Sequence, residues 1–342
     1  MKLSFCLPTL NRGKFIGATL ESIVCQMGDD AELVIVDGGS TDNTAGIVRE
    51  YQANYPRIRY WRQPSPRGID TDVLASVQLA QGLFCWFMSD DDLLAPTAVY
   101  HVMERLDAFE DLAGASLNYG AFDPTMSFRV ATVPATSGSH LTEDHLFTNA
   151  AECFSTLGMH LGYLPAQIVK RQLWNETVSS VDLAPHLQSC WLLTYVIGKM
   201  LQRHPKWLYI HQECIQNRTI NDSFVARVGE HKRQLITHVA FPKVVSDLFG
   251  AGSATHQNIL RASIRYRMPR NLAKIKAMGA PLRLQFILFF LYARIYGRFS
   301  RYWLTVMPLF FLPNFMMSTI RMLYFRWVSR HANAFASPKK LN

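Results

Sequence analysis

Leu83-Phe84-Cys85-Trp86-Phe87-Met88 runs without a charge into Ser89-Asp90-Asp91-Asp92. An apolar run of six is the length of a buried strand, and the three carboxylates mark its exit. Adjacent like charges repel and are costly to bury without a cation. Hard oxygen ligands of this kind suit Mg²⁺ or Mn²⁺, ions that commonly arrive with a phosphate.

Upstream of this stretch, strand-like and helix-like segments alternate. Leu3–Leu7, Glu32–Val36 and Ile58–Trp61 read as short buried strands. Phe15–Met27, Asp42–Tyr55 and Asp70–Ala80 read as helices, with Asp42 as an N-cap and Gly82 as a C′ residue. The pattern predicts an α/β fold: a mostly parallel sheet with helices on both faces. In such sheets ligands bind at the carboxyl ends of strands. The polar clusters lie there, after Leu7, Val36 and Met88. Downstream, Pro96–Phe109 is a predicted helix, Ala113–Leu117 and Tyr163–Val169 are predicted strands, and Leu183–Met200 is a predicted helix. The polar stretch 120–148 reads as an insertion.

The chain has 342 residues, 49% hydrophobic and 18% charged, which excludes disorder and allows an ample core. None of its six cysteines forms a CxxC pair, so reduced thiols in a cytosolic setting are expected. The first residues lead directly into a strand and lack the features of a signal peptide. The net charge of +9 is unevenly spread. Asp247 is the last acidic residue, and 15 Lys or Arg follow it. Residues 1–247 carry 20 basic and 26 acidic side chains. Apolar stretches at 286–292 and 304–317 are interspersed with Arg. Spanning a bilayer takes roughly 20 apolar residues, so helices lying in the membrane interface fit better. Contiguous Phe, Leu and Met argue against nucleic acid as the partner.

The three strand-end clusters are Pro8-Thr9-Leu10-Asn11-Arg12, Asp37-Gly38-Gly39-Ser40-Thr41-Asp42 and Ser89-Asp90-Asp91-Asp92. Singly, each also suits a turn or a cap. Together and in order, they resemble the nucleotide-sugar domain of family 2 glycosyltransferases, which have the GT-A (Rossmann-like) fold. Gly68-Ile69-Asp70-Thr71-Asp72, with Trp86 ahead of the acidic cluster, is similar to the abequosyltransferase-like branch. That branch moves 3,6-dideoxyhexoses or similar sugars in O-antigen assembly.

The resemblance implies that Pro8, Thr9, Asn11, Arg12, Asp37, Gly39, Ser40, Gly68 and Asp70 line the nucleotide-sugar site. Asp90 and Asp91 join them, with Asp92 as metal ligand supported by Asp90, and Mn²⁺ or Mg²⁺ as the ion. It also implies an inverting transfer to a polyprenyl-linked saccharide at the cytoplasmic face of the inner membrane. Inversion needs a general base for the acceptor hydroxyl. The family's usual Glu-Asp pair is missing: the matching spacing before Gly198 falls on His186 and Leu187. The candidates are His186, then Asp182 four residues earlier, on the same face of the predicted helix. Glu176, Glu152 and His160 rank below, and a cap or core role suits Asp182 and His186 as well. His211, Arg218 and Asn221, after the predicted strand Trp207–Ile210, suit a diphosphate contact and a solvated loop equally well.

The expected organisation is a glycosyltransferase domain over 1–225 (nucleotide half 1–120, acceptor half 121–225), a helical connector over 226–280, and a basic, aromatic-rich membrane-associating tail over 281–342. A sugar-nucleotide nucleotidyltransferase shares the fold class, but Asn11-Arg12-Gly13-Lys14 is short for a triphosphate loop. A non-catalytic, membrane-peripheral nucleotide-binding scaffold would not need the intact acidic cluster.

Overall fold

The structure is a computed structural model that describes residues 1–132, 141–219, 221, 229–230 and 232–319. The chain divides into two compact units. One is Met1–Ser223 with Lys243–Gln257, the other Phe224–Pro242 with Asn258–Asn342. The expected boundary at 225/226 and the tail beyond 319 lie outside the described residues.

The first unit is built on one sheet. Its order is β3 (Ile58–Arg62), β2 (Ala31–Asp37), β1 (Leu3–Thr9), β4 (Phe84–Phe87), β9 (Gln167–Lys170), β6 (Gly114–Phe122), β10 (Trp207–Arg218), β5 (Leu93–Leu94). β7 (Arg129–Thr132) pairs with β6, and β8 (His145–Phe147) with β10. β1 to β4 are parallel to one another, as are β6 and β10. β9 joins the two groups by antiparallel pairing to β4 and β6. The α/β architecture expected from the alternation is therefore present, with antiparallel pairing in its second half.

Side-chain alternation explains how both faces of the sheet are covered. Leu3, Phe5 and Leu7 of β1, Leu33 and Ile35 of β2, and Trp86 and Met88 share a core with Ile16, Leu20 and Ile23 of α1 (Ile16–Val24) and Val48 of α2 (Thr44–Asn54). The alternate residues point the other way, where Phe87 meets Trp174 of α6 (Arg171–Ser180) at 5.4 Å between ring centres. Gly82 is required by close approach: a Cβ there would lie 2.7 Å from the backbone of Leu3 and Ser4. It does not cap α3 (Ile69–Leu79), which ends on Ala80.

Two predicted elements are corrected. The expected helix Leu183–Met200 begins only at Leu192, as α7 (Leu192–Arg203), after a 3₁₀ turn at Ala184–His186. Pro185 disfavours helix at its predecessor, and Gln188 and Cys190 hold φ of 63° and 62°. The expected strand Tyr163–Val169 is reduced to Gln167–Lys170, because 3₁₀ turns occupy Gly158–Gly162 and Leu164–Ala166.

The second unit is helical. Leu260, Ile264, Met268, Leu272 and Ile275 pack against Leu288, Tyr292, Tyr296, Tyr302 and Val306. The helix Leu282–Tyr296 buries one stripe, Gln285, Leu288, Tyr292 and Tyr296. On other faces it exposes Leu282, Phe286, Ile287 and Phe290, the last 68% exposed. Leu304, Phe311 and Phe315 are more than two-thirds exposed. Among the described residues no helix is long and apolar enough to cross a membrane.

Candidate active site

The three sequence clusters converge at the carboxyl ends of β1, β2 and β4. The first two are laced together: Asn11 N donates to Ser40 Oγ at 2.8 Å and Thr41 N to Asn11 Oδ1 at 2.7 Å. Gly38 N donates to Thr9 O at 2.8 Å. Asn11 takes a φ of 56°, a conformation that asparagine tolerates better than most residues, and Gly39 one of 96°. Asp37 anchors this turn. Its Oδ1 accepts from Gly39 N and Ser40 N at 3.0 and 2.7 Å, and its Oδ2 from the Tyr60 hydroxyl at 2.6 Å. Pro8 is a buried residue of β1 beyond the last position paired with β4.

Arg12 joins the first cluster to the third. Its Nε donates to Asp90 Oδ1 at 2.9 Å and its Nη2 to Asp91 Oδ2 at 2.7 Å. Its guanidinium and that of Arg218 both lie over the Phe15 ring, 5.3 and 5.2 Å from its centre. Arg218 Nε also donates to Asp91 O at 2.8 Å, and Asn221 Nδ2 to Asp91 Oδ2 at 2.7 Å. Arg218 and Asn221 thus reach the acidic cluster. His211 does not join it in this way; its backbone N–H donates to Asp144 Oδ1 at 2.9 Å.

The three carboxylates have unequal surroundings. Asp92, the expected metal ligand, has both oxygens engaged by the protein. Oδ2 accepts from Ser89 Oγ at 2.6 Å and the Tyr163 hydroxyl at 2.7 Å; Oδ1 accepts from Arg218 N at 2.8 Å and Asn217 Nδ2 at 3.1 Å. These four contacts tie Asp92 to the end of β10 and to Tyr163. Asp90 Oδ2 and Asp91 Oδ1 accept no hydrogen bond of normal geometry among the described residues. Burial pushes the carboxyls of Asp90 and Asp91 up to about 6, with Arg12 opposing the rise in both. Two carboxylates with spare oxygens, Asp91 buried and Asp90 half-buried, fit a hard divalent cation, and no cluster of three or more ligating side chains occurs among the described residues. Tyr163, Asn217 and Tyr60 were not foreseen; no spacing signal links them to their carboxylates.

Asp70 is buried and accepts from Cys190 N at 3.2 Å, so it ties the start of α3 to the loop before α7. Burial pushes its carboxyl up to about 6. Gly68, with a φ of 96°, precedes that helix.

The base candidates are arranged differently from expectation. His186 is buried, with Nε2 3.3 Å from Asp247 Oδ2 and its ring stacked on Tyr195 at 3.9 Å between centres. Lys243 Nζ donates to the same Asp247 oxygen at 2.5 Å. Burial lowers the His186 pKa, against the pull of Asp247. Asp182 is exposed and its Oδ1 accepts from Ala184 N, two residues on, at 2.9 Å; the helix face it was expected to share with His186 is absent. Glu176 is exposed and accepts from Gln172. Glu152 lies in the first turn of a helix, at 3.7 Å from His145. His160 is buried and stacks on Tyr119 at 5.5 Å between centres.

Residues 4–154 match the family model described as glycosyl transferase family 2. That match, with the curated relatives, supports a glycosyltransferase of family 2. The chain is similar to an abequosyltransferase of Salmonella typhimurium, 28% identical over 264 residues, 73% of this chain and 76% of that protein. A GalNAc(5)-diNAcBac-PP-undecaprenol beta-1,3-glucosyltransferase of Campylobacter jejuni is 31% identical over 30% of this chain and 34% of its own. Two solved structures share the fold. TarS 1–349 of S. aureus, known also in complex with UDP-GlcNAc, has a TM-score of 0.58 at 14% identity and covers 83% of this chain and 82% of its own. A mannosyltransferase of Pyrobaculum calidifontis, in complex with GDP-Man and Mn²⁺, has a TM-score of 0.54 at 15% identity, over 94% and 87%.

Proposed function

We propose that the protein is an inverting, metal-dependent transferase that moves a deoxyhexose from a nucleoside-diphosphate sugar to a polyprenyl-linked saccharide in O-antigen-type polysaccharide assembly. The observation that carries this is the convergence of the three clusters on one strand edge, with Arg12 bridging Asp90 and Asp91. The relatives support a sugar nucleotide as donor and a lipid-linked saccharide as acceptor.

Asp90 and Asp91 would hold Mn²⁺ or Mg²⁺, and such an ion neutralises the diphosphate as the leaving group departs. Arg12 and Arg218, fixed over Phe15, supply further positive charge beside it. Asp92 keeps the loop in place through its four donors. His186 is the proposed base. With Nε2–H donating to Asp247 Oδ2, Nδ1 carries the lone pair that would accept the acceptor hydroxyl proton, and burial keeps the imidazole neutral at pH 7. Asp182 is the second candidate.

The exposed Phe286, Phe290, Leu304, Phe311 and Phe315 sit on a segment with exposed Arg283, Arg294, Arg298 and Arg301. This composition suits peripheral attachment to an anionic cytoplasmic leaflet, where each basic residue contributes about 1 kcal/mol.

The test is transfer from a panel of UDP-, dTDP-, CDP- and GDP-sugars, with Mn²⁺, to a polyprenyl-diphosphate saccharide. A glycosylated lipid product from one donor is expected. Absence of a thermal shift with every donor would sink the reading.

A further inference from the structure

Asp37 has little left to offer a nucleotide. Backbone N–H groups of Gly39 and Ser40 and the Tyr60 hydroxyl occupy its oxygens, with Arg62 Nε at 3.8 Å. The neighbouring carboxylate is different. Asp72, in the first turn of α3, is 4% exposed. Its Oδ2 faces Gly38 so closely that a Cβ on that glycine would lie 2.9 Å away. Its Oδ1 is buried with no hydrogen-bond partner, and so is the Thr9 hydroxyl at the end of β1. Among the described residues no cation pairs with it; Arg67 acts only at longer range and is exposed. Asp70, two residues earlier, has its backbone donor from the loop before α7. The two acidic residues of the Gly-Ile-Asp-Thr-Asp stretch therefore differ in kind: one is spent on the fold and the other is left open. An unpaired buried carboxylate is among the costliest groups a fold can carry. Burial and the Asp37 charge push its carboxyl up to about 6.

We propose that Asp72 is the base-reading residue of the donor site, its free Oδ1 accepting an N–H from the hydrogen-bonding edge of the nucleobase. This rests on the nucleotide-sugar reading of the same site. Uracil and thymine share one edge, N3–H between two carbonyl oxygens; cytosine presents N4–H beside an acceptor nitrogen, and guanine N1–H between a carbonyl oxygen and a second donor. An acceptor-only carboxylate beside Gly38 and Thr9 discriminates among these three edges by what flanks the N–H. An asparagine of the same shape brings a donor of its own and changes the ranking.

The experiment is calorimetric titration of full-length wild type, Asp72→Asn and Asp72→Ala with UDP, dTDP, CDP, GDP and inorganic pyrophosphate in Mn²⁺, with melting curves of the ligand-free proteins. The diphosphate that wild type prefers should bind Asp72→Asn about tenfold or more weakly, the loss of one charge-assisted hydrogen bond. The order of the four bases should change, and pyrophosphate binding should not. The ligand-free Asp72→Asn protein should melt at the same temperature or higher, since an unpaired charge has gone. An unchanged order of bases overturns the proposal. So does uniform weakening, pyrophosphate included, with a lower melting temperature, which marks a structural role. If wild type binds none of the four nucleotides, the donor reading itself falls.

Discussion

The two compact units differ in the incompletely satisfied groups that they carry. The first holds a buried carboxylate oxygen, Asp72 Oδ1, and the Thr9 hydroxyl without a hydrogen-bond partner, at the edge where β1 and β2 end. The second also buries two unpartnered hydroxyls, of Tyr292 and Tyr302, but no such carboxylate among the described residues, and it exposes large apolar side chains: Phe286, Phe290, Phe311 and Phe315 each exceed 60% exposure. Buried polar atoms without partners await a small ligand with matching donors, whereas a broad exposed apolar surface suits an extended, weakly specific partner. The proposed recognition and anchoring roles thus fall on different units, and that separation can be broken by substitutions that should affect one and spare the other.

The largest effect is expected at the acidic cluster. Asp91→Ala should lower transfer about a thousandfold by removing a carboxylate proposed to hold the cation, with vesicle binding unchanged. Asp92→Asn should instead lower the melting temperature as well as the rate, because four donors lose their shared acceptor. Equal melting temperatures for the two variants would erase the distinction between ligand and brace. Next, His186→Gln should reduce turnover about a hundredfold and flatten the acidic limb of its pH profile, with donor affinity retained. An unaltered pH limb would remove His186 from the chemistry.

On the other unit, Phe286→Asp with Phe290→Asp should weaken sedimentation with anionic vesicles about tenfold or more, since each buried Phe contributes about 1.5–3 kcal/mol. Turnover with a detergent-dispersed acceptor should stay the same. Truncation near Met278 is a poor test, because it removes Leu288, Tyr292, Tyr296, Tyr302 and Val306 from the core of this unit.

The smallest effect concerns pH. The Asp72 carboxyl titrates near 6 in the folded protein, above the about 3.9 of an unfolded Asp. The folded state then holds the extra proton between those values, so this group's contribution is present at low pH and is lost as pH rises through about 6. The ligand-free melting temperature of wild type relative to Asp72→Asn should fall by a few degrees from pH 5 to pH 7.5. A constant difference would show that Asp72 does not titrate there.

Much of the donor half was legible. The strands at Leu3, Ala31, Ile58 and Phe84 carry uninterrupted apolar runs or short alternations, and their polar exits are contiguous in sequence. The 182–191 segment was misread because its apolar spacing imitates a helix that Pro185 and the left-handed Gln188 and Cys190 interrupt. Tyr163 could not be assigned to Asp92 from sequence, since the two are 71 residues apart and joined only by a turn of the fold.

The sequence by itself determined that three carboxylates leave a buried strand, that two other polar clusters leave its neighbours, and that basic charge collects after Asp247. Those are properties of runs and periods, which local chemistry dictates. Only the tertiary structure decided which carboxylate is free. Arg218 and Asn217 reach Asp92 across more than 120 residues, Arg12 reaches Asp90 and Asp91 across nearly 80, and Asp247 rather than Asp182 meets His186. Identical side chains in a row acquired different roles because each oxygen meets whatever donor the folded chain brings within 3 Å of it.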